Sequence, residues 1–438
     1  MTRKQAIASV LLISAFPAFA RLRRGRQLFL WLAVVSYVGG SFSAFPQGSL
    51  TPPGPPAPTM KKLDEVEPRT NLQATPAPAG VDTSNADYQF IINQPGSYYL
   101  SANLVVTKTN GIQINVEGVT LDLNGFQISR VSPSGNGIEI SDTSHRTTVR
   151  NGTVKGFLFG IHGNIAKACA FRDLAVTGCT SYGIFAGPGA VLDSCRAHDN
   201  AGTAAISAEI GSSVINCTAS NNANGPNCIG IRTGRSCTVT HCTASTNSGS
   251  GILGGEGSVI KDCVAYSNAK DGILGSNGSA IASSSAQYNL STGITIGAHC
   301  MVSDCTVSNN SIGGIYAFYE SIIARCTIST NQGDGIRCNS NNTIEHNAIN
   351  VNGITGTGDG IHSVGYGNRI DSNNIRYNEA AGIRLPNNGH NVVIRNTLGS
   401  NIGGNYLVGT GNGVGPIISA DAGNLGNATN SPFANIQD

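Results

Sequence analysis

The hydrophobic and polar positions of this chain repeat with a period of 21 residues across residues 247–352. Counted from a glycine as position 0, apolar or small residues fall at positions 1, 3, 9, 12 and 14, and asparagine falls at position 17. Spacing by two within each group is typical of β-strands with one buried face, and no helical period of about 3.6 residues competes with it. Self-similarity at a fixed period predicts a solenoid. The glycines are Gly251, Gly272, Gly293, Gly314 and Gly335, each followed by isoleucine.

The same phase extends in both directions, from Gly111 to Gly382, with steps of 21 to 26 residues. Solenoids tolerate such variation because turns lengthen while strands stay in register. Three groups of apolar positions predict three short strands in each coil. We therefore expect an all-β fold, a right-handed parallel β-helix of about 12 coils.

Two buried columns are predicted from positions 17 and 12. The asparagines would form turns and an amide ladder between coils, and both roles are structural. The cysteines would act as small buried apolar groups, and we expect them to be unbridged because in-register side chains are poorly oriented for disulfides. The asparagines are Asn200, Asn222, Asn247, Asn268, Asn289, Asn310, Asn331 and Asn352, and the cysteines are Cys195, Cys217, Cys242, Cys263, Cys305 and Cys326.

Composition divides the chain into five segments. Residues 1–45 contain two units in which basic residues precede a short apolar run, as in secretory signals, so they are interpreted as a signal or leader segment. Residues 46–80 form a proline-rich linker and residues 81–110 an N-terminal cap. The β-helix is expected over residues 111–405, and residues 406–438 are the C-terminal cap and tail.

The leader changes the interpretation of the charge. It holds six Arg or Lys and no Asp or Glu, which leaves 21 basic and 25 acidic residues elsewhere, a net charge of −4. A mildly acidic body without a basic stripe argues against nucleic-acid binding. Both apolar runs are shorter than the ~20 residues of a membrane-spanning helix. We expect a monomer without a stable span in the mature chain, secreted or located in the periplasm or at the cell surface; the alternative is an N-terminal membrane anchor.

A family resemblance rests on the Gly-Ile repeats, the opening coil Val119 to Gly125 and the asparagine ladder. The chain resembles the pectate-lyase-like superfamily, and more closely secreted bacterial right-handed β-helix repeat proteins. The resemblance covers residues 85–410 and implies the fold, not one activity. Calcium is implied by this resemblance alone, and the cofactor is otherwise unknown. The Gly-His-Gly of the superfamily's polygalacturonases and the Asp-Pro-His of its mannuronan epimerases are missing.

Candidate site residues come from the positions that should face solvent. Position 2 lies between two inward positions, and position −1 precedes the glycine; together they bring two carboxylates, two guanidinium groups, an imidazole and an aromatic ring onto neighbouring coils. Such groups suit sugar rings and acidic substituents, although a solvated surface would look the same. The candidate catalytic residues are Asp334, Asp359, Arg337 and His362; the candidate ligand-binding residues are Tyr316, Phe318, Asn339 and Arg384; no metal ligands are predicted.

These observations favour two classes of function. In the first, an exported β-helix protein binds extracellular, acidic polysaccharide; whether it also processes that polymer, as a polysaccharide lyase or glycoside hydrolase, is left open. In the second, a non-catalytic extracellular or cell-surface solenoid has a structural or adhesive role. A periplasmic metal-handling β-helix is a third interpretation, which eight scattered histidines support weakly.

Overall fold

The computed structural model describes residues 69–420 and 431–438. The predicted leader, and the predicted linker up to residue 68, lie outside the described residues. Within the described residues all regular structure is β, without an α-helix. No helix there is long and apolar enough to cross a membrane.

One sheet, called the front sheet below, contains 16 strands. Its first strand is antiparallel to the second, and the other 15 follow one another in parallel register, so the solenoid has 15 coils rather than about 12. The strands are Val81–Asp82, Tyr88–Ile92, Asn110–Ile114, Asn136–Ile140, Phe159–Gly163, Tyr182–Ala186, Ala204–Ala208, Ile229–Thr233, Ile252–Gly254, Ile273–Gly275, Thr292–Ile296, Gly313–Ala317, Ile336–Cys338, Ile361–Ser363, Ile383–Leu385 and Tyr406–Val408.

The back sheet contains 30 strands in two parallel ladders, which are joined where the long strands Thr148–Lys155 and Ala170–Thr177 span both. The first ladder contains Thr70–Asn71, Gly96–Tyr99, Val119–Asp122, Val191–Asp193, Ser213–Ile215, Thr238–Thr240, Val259–Lys261, Ala280–Ala282, Met301–Ser303, Ile322–Ala324, Thr343–Glu345, Arg369–Asp371, Val392–Ile394 and Gly413–Val414. The second contains Leu104–Val105, Gln127–Ser129, Arg196–His198, Thr218–Ser220, Thr243–Ser245, Val264–Tyr266, Ser285–Gln287, Thr306–Ser308, Thr327–Ser329, Ala348–Asn350, Asn374–Arg376, Thr397–Gly399, Ile417–Ser419 and Asn435–Gln437.

The predicted three strands per coil and the right-handed β-helix are therefore confirmed. The apolar column is continuous. The isoleucine that follows each position-0 glycine, which is called the anchor below, is buried at Ile252, Ile273 and Ile294, and the position-12 cysteines are buried too. All twelve cysteines are buried free thiols. The anchor is glycine because the next coil lies too close for a side chain. A Cβ on Gly335 would lie 2.7 Å from the carbonyl oxygen of Gly360.

Single residues in the left-handed conformation make the turns on either side of the second back-sheet ladder. Asp304 and Asn309 have φ of 57°, and Arg325 and Thr330 repeat the pattern one coil later. Each of these residues directly precedes an inward position, so the turn aims the next side chain into the interior. This geometry produces the predicted columns at positions 12 and 17.

The asparagine ladder at position 17 is present in the structure. Asn289 donates its backbone N–H and its side-chain Nδ2 to Oδ1 of Asn310, both at 3.0 Å, and Nδ2 also donates to the carbonyl of Ala265 at 3.2 Å. The same contacts recur from Asn200 to Asn401. The side-chain oxygens therefore accept backbone N–H groups that lie just beyond the strand ends, and the side-chain N–H groups add a hydrogen bond to a strand carbonyl.

Candidate functional site

Parallel register places the solvent-facing residues at position 2 in one line on the front sheet, and this line is called the row below. Tyr316 pairs with Arg337, Arg337 with His362, and His362 with Arg384. Neighbouring strands in a sheet lie about 4.8 Å apart, so these side chains form a linear array across four coils.

The two aspartates before the glycines are held by bonds to the following coil. Asp334 accepts the backbone N–H of Asp359 through Oδ1 at 2.9 Å, and Asp359 accepts that of Ala381 through Oδ1 at 2.8 Å. Asp271, in an earlier coil, accepts the N–H of Thr292 in the same way. A turn role therefore accounts for one oxygen of each aspartate, and the second oxygen of Asp334 and Asp359 is left for other contacts.

His362 lies between these two carboxylates. Its Nδ1 is 3.1 Å from Oδ2 of Asp334 and 3.6 Å from Oδ2 of Asp359. A carboxylate only accepts hydrogen bonds, so these contacts place a proton on Nδ1. In the neutral imidazole Nε2 then carries no proton and is a hydrogen-bond acceptor, which is the state required of a proton acceptor.

Two arginines flank the histidine and differ in availability. Arg384 donates through Nε and Nη2 to both oxygens of Asp359, with Nη2 3.1 Å from Oδ1. The hydrogen bond to Asp359 raises the pKa of Arg384 above its ordinary value. Arg337 has one longer contact, 3.6 Å from Nη1 to Oδ2 of Asp334, and its side chain is 50% exposed. Arg337 is therefore the guanidinium more available to a ligand.

These side chains line a trough of about 740 Å³. Six of the eight predicted site residues are on its wall: Tyr316, Asp334, Arg337, Asp359, His362 and Arg384. Phe318 is instead in the adjoining depression of about 500 Å³, with its ring 4.8 Å from that of Tyr316. Asn339 is outside the trough, and its carbonyl accepts the side-chain N–H of Asn368 at 2.6 Å.

Besides these six, the residues that line the trough are Thr292, Ile312, Gly313, Ile315, Gly333 and Thr357. Thr357 belongs to the loop that lengthens the step from Gly335 to Gly360, so the longer step indicates in the sequence that a loop projects here. Thr355 fixes this loop by donating its hydroxyl to the carbonyl of Gln332 at 2.9 Å. The loop thus walls one side of the trough.

A metal centre is the other chemistry that this cluster could support. Asp334, Asp359 and His362 offer three ligand atoms within 4.8 Å of one another. Calcium takes about six to eight oxygen ligands, whereas here the carboxylates already bind backbone N–H groups and guanidinium groups, and the third ligand is nitrogen. The residues therefore fit calcium poorly.

Comparison with known proteins places the chain by fold. The family model described as right handed beta helix region matches residues 159–301 and 255–398, more than half of the chain. The A-module of Azotobacter vinelandii mannuronan C-5 epimerase AlgE4 is similar with a TM-score of 0.50 and 15% identity, covering 62% of this chain and 90% of that one. The AlgE6 A-module of the same organism has a TM-score of 0.38 and 12% identity, covering 78% and 89%.

The periplasmic alginate epimerase AlgG is similar with a TM-score of 0.35 and 12% identity, covering 84% of this chain and 82% of that chain. At these identities the likeness concerns the fold alone. No curated protein matches the chain.

Proposed function

Because this chain belongs to the right-handed β-helix family, within the pectate-lyase-like superfamily, we propose that it is an exported protein that binds acidic polysaccharide along its front sheet. The ligand lies in the trough formed by Tyr316, Arg337, His362 and Arg384. The AlgE4 module that shares the fold is, by its name, an enzyme of mannuronan. That likeness makes a polysaccharide a reasonable ligand, and the side chains supply the argument for an acidic one.

The observation that carries the proposal is the linear arrangement of the row. Three of its four members carry or can carry positive charge, and consecutive members are register partners. A guanidinium binds a carboxylate or sulfate through two parallel hydrogen bonds, and Arg337 is exposed enough to do so. A line of such groups matches an extended chain with repeated acidic groups better than a compact metabolite.

The shape of the surface supports the same ligand. A depression of about 500 Å³ shares His362 and Arg384 with the trough and continues to Leu407. On the other side, two further depressions share Leu274 and reach Ile229. The trough is thus one part of a longer row of hollows on one face, as a polymer requires.

If the bound polymer is also processed, His362 is the group placed to move a proton. Asp334 holds the proton on its Nδ1 and leaves Nε2 as the acceptor. When Nε2 takes the proton beside a uronate carboxylate, with Arg337 neutralising that carboxylate, elimination follows: a C=C bond forms, the neighbouring glycosidic C–O bond breaks, and the imidazolium returns the proton to the leaving sugar oxygen. Hydrolysis would instead use Asp334 and Asp359, but each already accepts a hydrogen bond from the backbone of the next coil. Asp359 also accepts hydrogen bonds from Arg384. The geometry therefore favours elimination over hydrolysis.

The alternative function is a non-catalytic structural or adhesive solenoid. The pairing of Arg384 with Asp359 favours it, because that pair satisfies its own charges without a ligand. A structural solenoid would not require Arg337, whose guanidinium contributes little to stability at 50% exposure. The two functions therefore differ in what happens when Arg337 is removed.

The test is retention of acidic glycans by the double variant Arg337→Ala, Tyr316→Ala. Arg325→Ala is the matched control, because it removes an exposed, ion-paired arginine from a turn between the two back-sheet ladders. Retention on immobilised polyuronates is measured at low and moderate salt, together with reducing ends and the absorbance of unsaturated uronates. We expect the double variant to lose retention while the control keeps it. Retention unchanged by the double substitution would sink the proposal, and binding without any product would restrict it to the non-enzymatic form.

A further inference from the structure

A second cluster of aromatic and polar side chains lies on the same front sheet, several coils away from the trough. Its aromatic members are Phe159, Tyr182 and Phe185, and its polar members are Glu139 and His162. Parallel register assembles it, since Phe159 pairs with Tyr182, and His162 pairs with Glu139 on one side and Phe185 on the other. All five side chains are partly exposed.

The rings form one continuous patch. The Phe159 and Tyr182 rings are 5.7 Å apart between centroids and nearly parallel, at 9°. Tyr182 and Phe185 are 4.5 Å apart at 13°. His162 completes the patch, 4.5 Å from Phe159 and 6.0 Å from Phe185.

Glu139 gives the patch its polar edge. It accepts hydrogen bonds from Tyr88 Oη at 2.7 Å, from Asn136 Nδ2 at 2.6 Å and, more weakly, from Gln113 Nε2 at 3.4 Å. All three donors are neutral, and within residues 69–420 and 431–438 no lysine or arginine forms an ion pair with Glu139. A carboxylate has about four acceptor positions, so capacity remains for a ligand donor. Burial also lowers the pKa of His162, which favours its neutral form.

The patch differs from the trough in its charged groups as well as in place. In the trough two carboxylates are accompanied by two arginines, of which Arg337 is half exposed and available to an anion, whereas the patch presents a carboxylate beside neutral rings, with no arginine paired to it in the described part of the chain. Six register steps separate Phe185 from Tyr316, or ~29 Å at the spacing of neighbouring strands. A uronate would be repelled by Glu139, but hydroxyl or ammonium groups would bond to it, and an ammonium would also be attracted to the rings.

We propose that Glu139, Phe159, Tyr182 and Phe185 form a second carbohydrate site, which takes a sugar ring without negative charge. The ring contacts the aromatic patch, and its hydroxyl or ammonium donors bond to Glu139. The site lies on the same face as the trough, so one polymer with acidic and non-acidic stretches can occupy both. The proposal does not depend on the trough binding anything.

Titration calorimetry of the full chain tests this site with four hexasaccharides: neutral cellohexaose and mannohexaose, amine-bearing chitosan hexamer, and hexagalacturonate. We expect binding of at least one of the first three, weakened about tenfold by Phe185→Ala. Glu139→Gln should weaken the amine-bearing hexamer strongly and the neutral ones less, which separates the two kinds of donor. Arg337→Ala should leave these three unchanged.

Tyr266→Ala is the matched aromatic control, since Tyr266 is an exposed ring on the back sheet that packs against Tyr288. Thermal unfolding of each variant separates loss of binding from loss of fold. If no neutral or amine-bearing hexamer binds, or if Phe185→Ala and Tyr266→Ala have equal effects on binding, the patch is a structural aromatic cluster and the inference is wrong. If Arg337→Ala is the only variant that loses hexagalacturonate binding, the trough proposal stands, whether or not the patch binds a sugar.

Discussion

The interior of this β-helix differs between the coils that carry the trough and those that precede it. From Gly335 onward three asparagine columns run through the stack; before it only the column at position 17 is asparagine. The three columns are Asn342–Asn368–Asn391–Asn412, Asn347–Asn373–Asn396–Asn435 and Asn352–Asn378–Asn401. In the coils from Ser212 to Cys326, serine and cysteine take the first two columns.

The chemistry of the two regions differs accordingly. Asn347 donates both its backbone N–H and its Nδ2 to Oδ1 of Asn373, each at 3.0 Å. In the equivalent column, the backbone N–H of Cys217 reaches Sγ of Cys242 at 3.4 Å, and thiols are weak hydrogen-bonding groups. The coils beneath Arg337, His362 and Arg384 are thus held by more and shorter hydrogen bonds. A binding site needs such a supported base, because small displacements of its side chains weaken a multi-point contact.

The largest expected effect is at Asn373. Asn373→Leu leaves the backbone N–H of Asn347 unpaired, at ~1–3 kcal/mol for a buried unpaired group, and also removes the hydrogen bonds with Nδ2 of Asn347 and the carbonyl of Ile344. Asn373→Cys should lose less, since the thiol is the residue used in the earlier coils. The position-17 column is asparagine in both regions, so Asn310→Leu and Asn378→Leu should cost similar free energies of unfolding. Denaturant unfolding measures all four, and equal losses for Asn373→Leu and Asn373→Cys would contradict the distinction between the columns.

A second effect concerns acid stability and the back sheet. Asp371 is buried, which by itself would raise its pKa, but hydrogen bonds from Arg395, Ser372 and Arg369 outweigh burial and lower the pKa from 3.8 to about 2. A lowered folded-state pKa stabilises the protein above pH ~4, and this stabilisation is lost as the pH falls toward 2. The midpoint of unfolding should therefore fall less between these two pH values in Asp371→Asn than in the unmodified protein.

Asp304→Asn is the control for Asp371, because Asp304 forms an exposed pair with Arg325 in the earlier coils. We expect it to change the acid profile much less, since exposed ion pairs contribute little. A profile unaltered by Asp371→Asn would mean that this buried cluster does not couple to folding.

The smallest effect is expected in the cysteine column. Cys263→Ala removes one buried sulfur and a weak bond to the carbonyl of Lys261, and should cost about 1 kcal/mol. Thiol titration of unfolded, unreduced protein should find the twelve cysteines reactive. A deficit of two or more thiols would show that neighbouring coils are bridged.

Much of this arrangement was predictable from the period alone. A constant step between anchors places equivalent residues on one face, which is why the sequence alone could align Tyr316, Arg337, His362 and Arg384. The end coils at Tyr88–Ile92 and Tyr406–Val408 lack the Gly-Ile anchor, which is one reason why the sequence predicted fewer than the 15 coils observed. Shifts of one or two residues relative to the anchor also hid the column through Asn368 and Asn391.

Contacts that depend on side-chain conformation were not predictable. The pattern placed Asp334 and Asp359 beside the row, but not their bonds to the next coil or the position of His362 between them. Phe318 and Asn339 share position 4, beyond the strand ends or at their margin, and strand alternation does not determine where such side chains point. The patch around Phe185 was not predicted, because its coils lack the clustered charges that marked the row as a candidate site.

Hydrogen exchange with and without an oligouronate tests the central proposal most directly. We expect the ligand to slow exchange in the front-sheet segments Ile336–Cys338, Ile361–Ser363 and Ile383–Leu385, with the back-sheet strands of the same coils little changed. Arg337→Ala should abolish this protection, and Arg325→Ala should retain it. Protection centred on the back sheet, or none at saturating oligouronate, would contradict the assignment of the trough as an acidic polysaccharide site.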